Sequence, residues 1–365
     1  MNRLILAGLC LLCSTFSLAN PASDLRDKAM NPKLTVPERV KAIKALYPDM
    51  LENGEIPRRR ICIWDIGGRS GPIFAAAQDQ KPKMLEYGIQ VDMEAYTSES
   101  ILSEDFKAGK CDAALMTGLK ARTFNKFSGT IDAVGALPSL KHVKVLLRAV
   151  SNPKMAKYLE HGDYTVLGVS PAGAAYIFVN DKKVNSLTKA AGKRIVVLDY
   201  DPVQTKMVLQ LGANPVPSDI VSAPNKFNNG AVDILPAPLV AYEFLELYRG
   251  MEPDGGIIDY PFSQATMQMI GHKNKFPTEI AQLLREQFYA GFDETVKRIE
   301  AETNVPDKWW IPIPDEDKRN YEVMMQDARI ELREQDYYHP KMLTLARKVR
   351  CKLDPSRFEC PNPKE

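Results

Sequence analysis

Residues 60–65 read RICIWD, and residues 194–199 repeat the pattern as RIVVLD. Each stretch opens with an arginine, continues through four apolar residues typical of a buried strand, and closes with an aspartate. A helical pattern and a second short apolar run follow each stretch. Because strands that alternate with helices form βαβ units, the sequence predicts an α/β fold with parallel-core sheets.

A second motif repeats in the same order. Residues 106–112 (FKAGKCD) and 227–233 (FNNGAVD) share the pattern F-x-x-G-x-x-D. The phenylalanine packs the end of a helix, the glycine supplies the positive φ that ends it, and the aspartate opens the next strand. Two repeats in one order predict two lobes of similar build, joined by a hinge, with a cleft between them.

The composition is that of a globular protein. The chain has 365 residues, of which 45% are hydrophobic and 26% charged, and this length suits roughly two to three domains. Lysine and arginine number 48 against 46 acidic residues, so that the net charge is +2. This balance excludes a dedicated nucleic-acid binder, which needs a basic excess. No long apolar run follows residue 19, so no direct membrane insertion is predicted.

Residues 1–19 have the pattern of a secretory signal peptide. Residues 4–16 are largely apolar and too few to span a bilayer, and small residues precede a cleavage site after Ala19. Cys10 and Cys13 leave a lipoprotein as the alternative, but leucine precedes each of them where lipoprotein processing requires a small residue. We therefore predict an exported, periplasmic protein.

Four cysteines remain after this cleavage, and an even number in an oxidising compartment favours two disulfides. Cys351 and Cys360 lie nine residues apart in a proline-rich tail and are predicted to close a local loop. Cys62 and Cys111, at the starts of predicted strands, are expected to form the other bridge. No cysteine pair has zinc-site spacing and the four histidines form no ligand cluster, so no metal is predicted.

The chain is predicted to divide into five parts. These are a signal peptide (1–19), a helical leader (20–58), a first lobe (59–150) completed by about 262–300, a second lobe (151–261), and C-terminal helices with the disulfide-closed tail (301–365). Long helices are expected over about 276–302 and 315–335, where they clasp the two lobes.

No catalytic motif accompanies this fold. Residues 68–71 (GRSG) begin as a nucleophile elbow would, but Pro72 occupies the position of the last glycine. An N-terminal helix turn that contains Ser70 and Pro72 is the simpler interpretation. Phosphate-loop, dinucleotide and zinc-protease motifs are absent from the sequence, so neither an enzyme nor a cofactor is predicted.

Ligands of parallel sheets bind at the carboxyl ends of the strands. The candidate ligand-binding residues are Asp65, Gly68, Arg69, Ser70, Tyr96, Ser98, Thr117, Lys120, Tyr176, Asp199, Tyr200, Asp201 and Pro238. Asp65 and Asp199 have an equal alternative as turn caps, and Lys120 and Arg122 are expected to be solvated unless they face a ligand. The aspartates predict a solute with an amine or several hydroxyl groups, because a buried carboxylate needs a donor or a cation. The alternative is an anion bound by Arg69.

From about residue 60 to 300, the sequence resembles the extracytoplasmic solute receptors of tripartite ATP-independent periplasmic (TRAP) transporters. The matching segments are 106–112, 180–184 (NDKKV), 191–197 (AGKRIVV), 211–216 (LGANPV) and 230–233 (GAVD). The resemblance implies a two-lobe periplasmic receptor that captures a small polar molecule in the interlobe cleft. It also implies that the receptor delivers this molecule to integral-membrane transporter subunits.

Two departures from the family bear on the ligand. In the family, an arginine in the strand of residues 191–197 holds the ligand carboxylate, but Val196 occupies its place and Arg194 lies two residues earlier. Leu235 and Pro236 replace the acidic residue that follows G-x-V-D-G. The whole chain is closer to a divergent subgroup of exported proteins, some labelled as associated with efflux pumps or aminoglycoside resistance. The alternative function is therefore an exported accessory protein that docks on a transporter or an efflux assembly.

Overall fold

The computed structural model describes residues 21–365, so the predicted signal peptide and its cleavage site lie outside the described residues. Within this range, eleven strands form one mixed sheet. The strands are β1 (Arg59–Trp64), β2 (Val91–Tyr96), β3 (Ala113–Thr117), β4 (Glu160–His161), β5 (Tyr164–Val179), β6 (Arg194–Leu198), β7 (Asn214–Ser218), β8 (Ile234–Pro238), β9 (Gly256–Ile258), β10 (Ser263–His272) and β11 (Trp310–Ile311).

Helices connect and flank these strands. They are α1 (Pro21–Met30), α2 (Val36–Leu46), α3 (Pro72–Asp79), α4 (Lys81–Glu86), α5 (Glu99–Lys107), α6 (Gly118–Ala121), α7 (Lys126–Gly129), α8 (Leu140–Val150), α9 (Pro202–Gln210), α10 (Ser222–Asn228), α11 (Ala241–Phe244), α12 (Tyr248–Met251), α13 (Thr278–Ala290), α14 (Phe292–Ala301), α15 (Asp315–Glu334) and α16 (Pro340–Leu353).

The strand order β2-β1-β3-β10-β5-β8-β6-β7 places a parallel unit at each end of the sheet. In the first lobe, β1 pairs in parallel with β2 and β3, and in the second lobe β6 pairs in parallel with β7 and β8. The long strands β10 and β5 pair antiparallel with each other and join the two lobes. The predicted two-lobe α/β fold with parallel units is therefore confirmed. The antiparallel strands that join the lobes belong to neither sequence repeat.

The aspartate of each repeated motif fastens the start of a neighbouring strand. Asp112 Oδ2 accepts a hydrogen bond from the backbone N–H of Arg60 at 2.8 Å. Asp233 Oδ2 accepts the equivalent bond from the backbone N–H of Arg194 at 2.8 Å. The same contact at the same place in each lobe confirms that the two repeats are structurally equivalent.

The phenylalanine and the glycine of the motif also have the predicted roles. Phe106 and Phe227 are completely buried. Gly109 and Gly230 follow α5 and α10 with φ angles of +77° and +69°, a region that residues with a Cβ rarely adopt. The glycines therefore let the chain leave each helix and enter the next strand.

Both predicted disulfides are present. Cys62 bonds to Cys111 with a Cα–Cα distance of 5.9 Å, and Cys351 bonds to Cys360 with a Cα–Cα distance of 5.6 Å. The first bridge joins β1 to the residue that lies two positions before β3. These strands pair directly, so the adjacent-strand reasoning holds.

Replacing both Cys62 and Cys111 with serine is expected to lower the free energy of unfolding by about 2–4 kcal/mol. The bridge spans 49 residues and restricts the unfolded chain more than a short loop does. The matched control is the double serine variant of Cys351 and Cys360, which spans 9 residues and should lose less. Urea denaturation measures both, and an equal loss would contradict the argument from loop length.

The C-terminal helices contact both lobes, as predicted. In α15, Glu331 Oε1 accepts a hydrogen bond from Gln210 Nε2 of the second lobe at 2.9 Å. Arg329 Nη1, also in α15, donates to the Val134 carbonyl of the first lobe at 2.9 Å. The single helix predicted for residues 276–302 is wrong, because α13 and α14 meet at Gly291 and glycine weakens a helix.

Candidate functional site

The carboxyl ends of strands from both lobes face a cavity of about 1680 Å³. Residues at the ends of β1, β3, β6 and β8 line this interlobe cavity together with residues of β5 and β10. Most of the lining side chains are apolar, and examples are Ile66, Ile73, Leu198, Ile220, Phe262 and Met267. A cleft thus lies where the strand ends predict one, but its wall is more apolar than a small polar solute would require.

The predicted binding residues fall into two groups. Those that line the cavity are Asp65, Ser70, Thr117 and Pro238. Those that are not part of its lining are Gly68, Arg69, Tyr96, Ser98, Lys120, Tyr176, Asp199, Tyr200 and Asp201. Three residues of the second group, Lys120, Tyr200 and Asp201, form contacts between the two lobes.

Asp65 stabilises the start of α3. Its carboxylate accepts hydrogen bonds from the backbone N–H groups of Gly67 at 2.8 Å and Phe74 at 2.9 Å, and the residue is completely buried. A Cβ at Gly71 would lie 1.7 Å from Asp65 Oδ1, so the glycine makes room for the carboxylate. Of the two interpretations of Asp65, turn cap or ligand contact, this geometry supports the cap.

Arg122 and Asp201 form an ion pair between the lobes. The Arg122 Nη2 atom lies 3.0 Å from Asp201 Oδ2, and both side chains are buried. The Tyr337 hydroxyl, from the segment between α15 and α16, lies within hydrogen-bond distance of both partners. Burial raises the pKa of Tyr337 and keeps its hydroxyl protonated. The expectation that Arg122 is solvated is therefore wrong, because Asp201 and Tyr337 enclose its guanidinium group.

Lys120 is also buried rather than solvated, and that expectation is wrong as well. Its Nζ atom lies 4.0 Å from the ring centroid of Tyr200, in a cation–π contact between the lobes. Burial lowers the pKa of Lys120. Glu99 lies close by, accepts a hydrogen bond from the backbone N–H of Thr117 at 2.6 Å, and has its pKa raised by burial.

The remaining predicted residues have local contacts. The Tyr96 hydroxyl donates to Asp105 Oδ2 at 3.0 Å. Burial, as the larger cause, and this hydrogen bond, as the second, raise the pKa of Tyr96 to about 12. Ser98 Oγ caps α5, and the ring of Tyr176 packs against a tryptophan at 5.3 Å. Arg69 and Asp199 are exposed.

Asp132 is a residue of the cavity wall that the sequence patterns do not indicate. It is 6% exposed and lines the cavity. Its Oδ1 accepts a hydrogen bond from Thr266 Oγ1 at 2.6 Å, and its Oδ2 accepts one from the Thr266 backbone N–H at 3.1 Å. Burial raises the pKa of Asp132 to about 7, against the opposing effect of these bonds. Asp132 and Thr266 are 134 residues apart, so no local motif marks the pair.

The position that the TRAP resemblance assigns to a carboxylate-binding arginine holds no such group. Val196 lies buried within β6. Arg194, the first residue of this strand, is not part of the cavity lining and pairs with Asp233, whose Oδ1 lies 2.6 Å from Arg194 Nη2. The structure therefore agrees with the difference seen in the sequence. Arg194 is paired with Asp233 and does not lie at the carboxyl end of β6.

Replacing Gly118 with alanine is expected to destabilise the protein by about 1–3 kcal/mol, the range for forcing extra volume into a packed site. The new Cβ would lie 2.3 Å from Asp132 Oδ2 and 2.4 Å from Thr266 Oγ1. The matched control is Gly291→Ala, whose Cβ would meet its nearest neighbours at 3.7 Å. Thermal melting of both variants tests the fit, and equal stabilities would show that Asp132 has room to move.

Two kinds of feature are absent from residues 21–365. No helix there is long and apolar enough to cross a membrane. No group of three or more histidine, cysteine, aspartate or glutamate side chains in this range is arranged to hold a metal ion.

Two lobes that enclose a cavity at their strand ends define the fold of periplasmic solute receptors, and solved structures show the same fold. A TRAP periplasmic solute-binding protein from Desulfovibrio salexigens, with bound orotic acid, matches with a TM-score of 0.63 and 11% identity. The match covers 81% of this chain and 99% of that one. A second, from Ralstonia eutropha H16 with bound (S)-2-acetolactate, matches with a TM-score of 0.63, 13% identity and the same coverage.

The particular family follows from sequence. The model of the family "Solute-binding protein AdeT 1/2" matches residues 73–365. The probable solute-binding protein AdeT1 of Acinetobacter baumannii is 40% identical over 299 residues, which cover 82% of this chain and 98% of that protein. The probable solute-binding protein AdeT2 of the same organism is 28% identical over 234 residues, which cover 64% and 98%. The chain therefore belongs to the AdeT 1/2 family of solute-binding proteins, and its fold is that of the TRAP periplasmic solute-binding proteins.

Proposed function

We propose that this receptor captures a small organic molecule in the interlobe cavity and delivers it to integral-membrane transporter subunits. The observation that carries the proposal is the cavity itself, which both lobes line and which the Arg122–Asp201 pair borders. Two solved structures of the same fold contain a small organic molecule, orotic acid in one and (S)-2-acetolactate in the other, which supports the proposal. No catalytic activity is part of the proposal.

The apolar lining refines the kind of solute. Apolar side chains favour an apolar ligand surface, since each Å² removed from water contributes roughly 25 cal/mol. Polar side chains, among them Ser170, Ser263 and Thr266, are a minority of the wall and suit a polar end of the solute. We therefore expect a solute with an apolar body and a single polar head, where the sequence predicts a small polar molecule with an amine or several hydroxyl groups.

The export route follows the sequence. We infer that the signal peptide is cleaved after Ala19 and that the mature chain reaches the periplasm without a lipid anchor. Mass spectrometry of the mature N-terminus tests this inference, and a diacylated cysteine would refute it. The alternative function, an accessory protein that docks on a transporter or an efflux assembly, needs no solute in the cavity.

Comparison of two preparations tests the proposed function. Protein purified natively from the periplasm is expected to melt at a higher temperature than the same protein after unfolding, dialysis and refolding with its disulfides intact. A bound solute at 100 times its Kd stabilises by about 2.7 kcal/mol, and stripping removes this contribution. A small-molecule extract of the native preparation should restore it. Identical melting of both preparations, with no response to the extract, would favour the accessory protein.

A further inference from the structure

Asp132 is a buried carboxylate that faces the interlobe cavity. Both of its oxygens are held by Thr266, through the side-chain hydroxyl and the backbone N–H. Gly118 leaves the space that the carboxylate occupies. The orientation of Asp132 is therefore fixed by groups that donate hydrogen bonds but carry no charge.

Arg122, whose charge acts on Asp132, does not form an ion pair with it. Arg122 influences Asp132 only through space, because its ion pair is formed with Asp201. Asp65, another carboxylate of the wall, has both oxygens bonded to backbone N–H groups at the start of a helix. Among the described residues, neither carboxylate has an ion-pair partner, but the Asp65 oxygens cap the start of α3, whereas the Asp132 oxygens are bonded only to Thr266.

A buried carboxylate without a cation is costly, and a cationic group that enters the cavity removes this cost. Val134 and Ala265, which are close neighbours of Asp132 and Thr266 in the chain, belong to the same wall. An ammonium group at Asp132 would therefore have apolar surface beside it. Arg122 and Asp201 offset each other's charge, so one positive charge beside Asp132 neutralises the Asp132 carboxylate.

We propose that Asp132 binds the protonated amine of an organic cation whose body is apolar. This inference rests on the proposed function and names the substrate class of the same cavity. Asp132 accepts hydrogen bonds from the ammonium group, Thr266 positions Asp132, and the apolar wall covers the rest of the solute. This head group is positively charged. A receptor with an arginine at the position of Val196 is expected to bind a negatively charged carboxylate instead.

Three probes that share one body and differ in the head group test the inference. They are 3-phenylpropylamine, 3-phenylpropanol and 3-phenylpropionate, titrated calorimetrically into the full mature chain at pH 8. The amine is expected to bind about tenfold or more tightly than the alcohol and the acid. The Asp132→Asn variant should lose about tenfold or more of the amine affinity and little of the alcohol affinity. Asp163→Asn, an exposed aspartate outside the lining, is the matched control and should bind as the wild type does.

The possible results distinguish failure of the cation proposal from failure of the proposed receptor function. Tighter binding of the acid, no binding of the amine, or unchanged amine affinity in Asp132→Asn would overturn the proposal. If Asp132→Asn does not fold, Thr266→Val provides the second test, because the carboxylate stays but loses its positioning hydroxyl, and the preference for the amine should weaken. A solute retained by native protein that proves to be an acid would leave the receptor function standing and refute the cationic head group.

Discussion

Replacing Arg350 with alanine is expected to lower the free energy of unfolding by about 3–5 kcal/mol, the cost of breaking a buried ion pair by removing one partner. Arg350 is completely buried, and its guanidinium group contacts Glu359 at 2.5 Å and Glu365 at 2.7 Å. It also donates to the Ala136 carbonyl at 2.7 Å and so joins the tail to the first lobe. Alanine would leave the buried carboxylates of Glu359 and Glu365 without the positive charge of Arg350.

The effect of pH on this network has a defined sign. Burial alone would raise the pKa of Glu359, but hydrogen bonds and the charge of Arg350 lower this pKa to about 2 from 4.5. A lowered pKa contributes stability above about 4.5 that is lost as the pH falls toward about 2. Wild-type stability should decrease across this window, and the decrease should be smaller in Arg350→Ala.

The matched control for Arg350 is Arg58→Ala. Arg58 pairs with Asp92 at 2.8 Å, but both side chains are more than half exposed, and such pairs contribute about 0–1 kcal/mol. Guanidinium denaturation at pH 7 measures both variants. Similar losses in the two variants would show that burial of the Arg350 network does not matter.

Replacing Asp201 with asparagine is expected to destabilise the protein by about 3 kcal/mol and to separate the lobes. Arg122 would lose its ion pair and remain a buried, uncompensated charge, while the asparagine still caps α9. Tyr337→Phe removes only a hydroxyl and should cost about 1 kcal/mol. Asp254→Asn, an exposed aspartate, is the control and should change stability by less than about 0.5 kcal/mol.

Small-angle X-ray scattering distinguishes lobe separation from simple loss of stability. Asp201→Asn should increase the radius of gyration, while Tyr337→Phe and Asp254→Asn should leave it unchanged. A double variant, Arg122→Met with Asp201→Asn, removes the buried charge and should recover most of the lost stability. No recovery in the double variant would contradict the assignment of the loss to the unpaired Arg122.

The features predicted correctly from sequence are those that rest on short segments. The strands of the two repeats, the paired F-x-x-G-x-x-D motifs and the ends of α5 and α10 depend on residues within seven positions of each other. Gly109 and Gly230 behave as predicted because positive φ is a local property. The disulfides follow because parallel strands that are neighbours bring Cys62 and Cys111 together.

The site was predicted less well because long-range contacts decide it. Arg122 and Asp201 are 79 residues apart, and Tyr337 lies a further 136 residues along the chain. A lysine or an arginine after a strand is usually solvated, but contacts with Tyr200, Asp201 and Tyr337 bury Lys120 and Arg122. Asp65 lies at the predicted strand end, but its oxygens turn toward the backbone of α3 instead of the cavity.

Native mass spectrometry of protein purified natively from its host organism tests most directly whether the interlobe cavity holds a solute. The wild type should carry one small molecule per chain, and so should Ala108→Phe, whose new ring is placed on an exposed surface outside the cavity lining. Ala265→Phe places the same ring in the cavity wall and should yield the bare chain. A solute that stays bound to Ala265→Phe, or a wild type that carries none, would contradict the assignment of this cavity as the binding site.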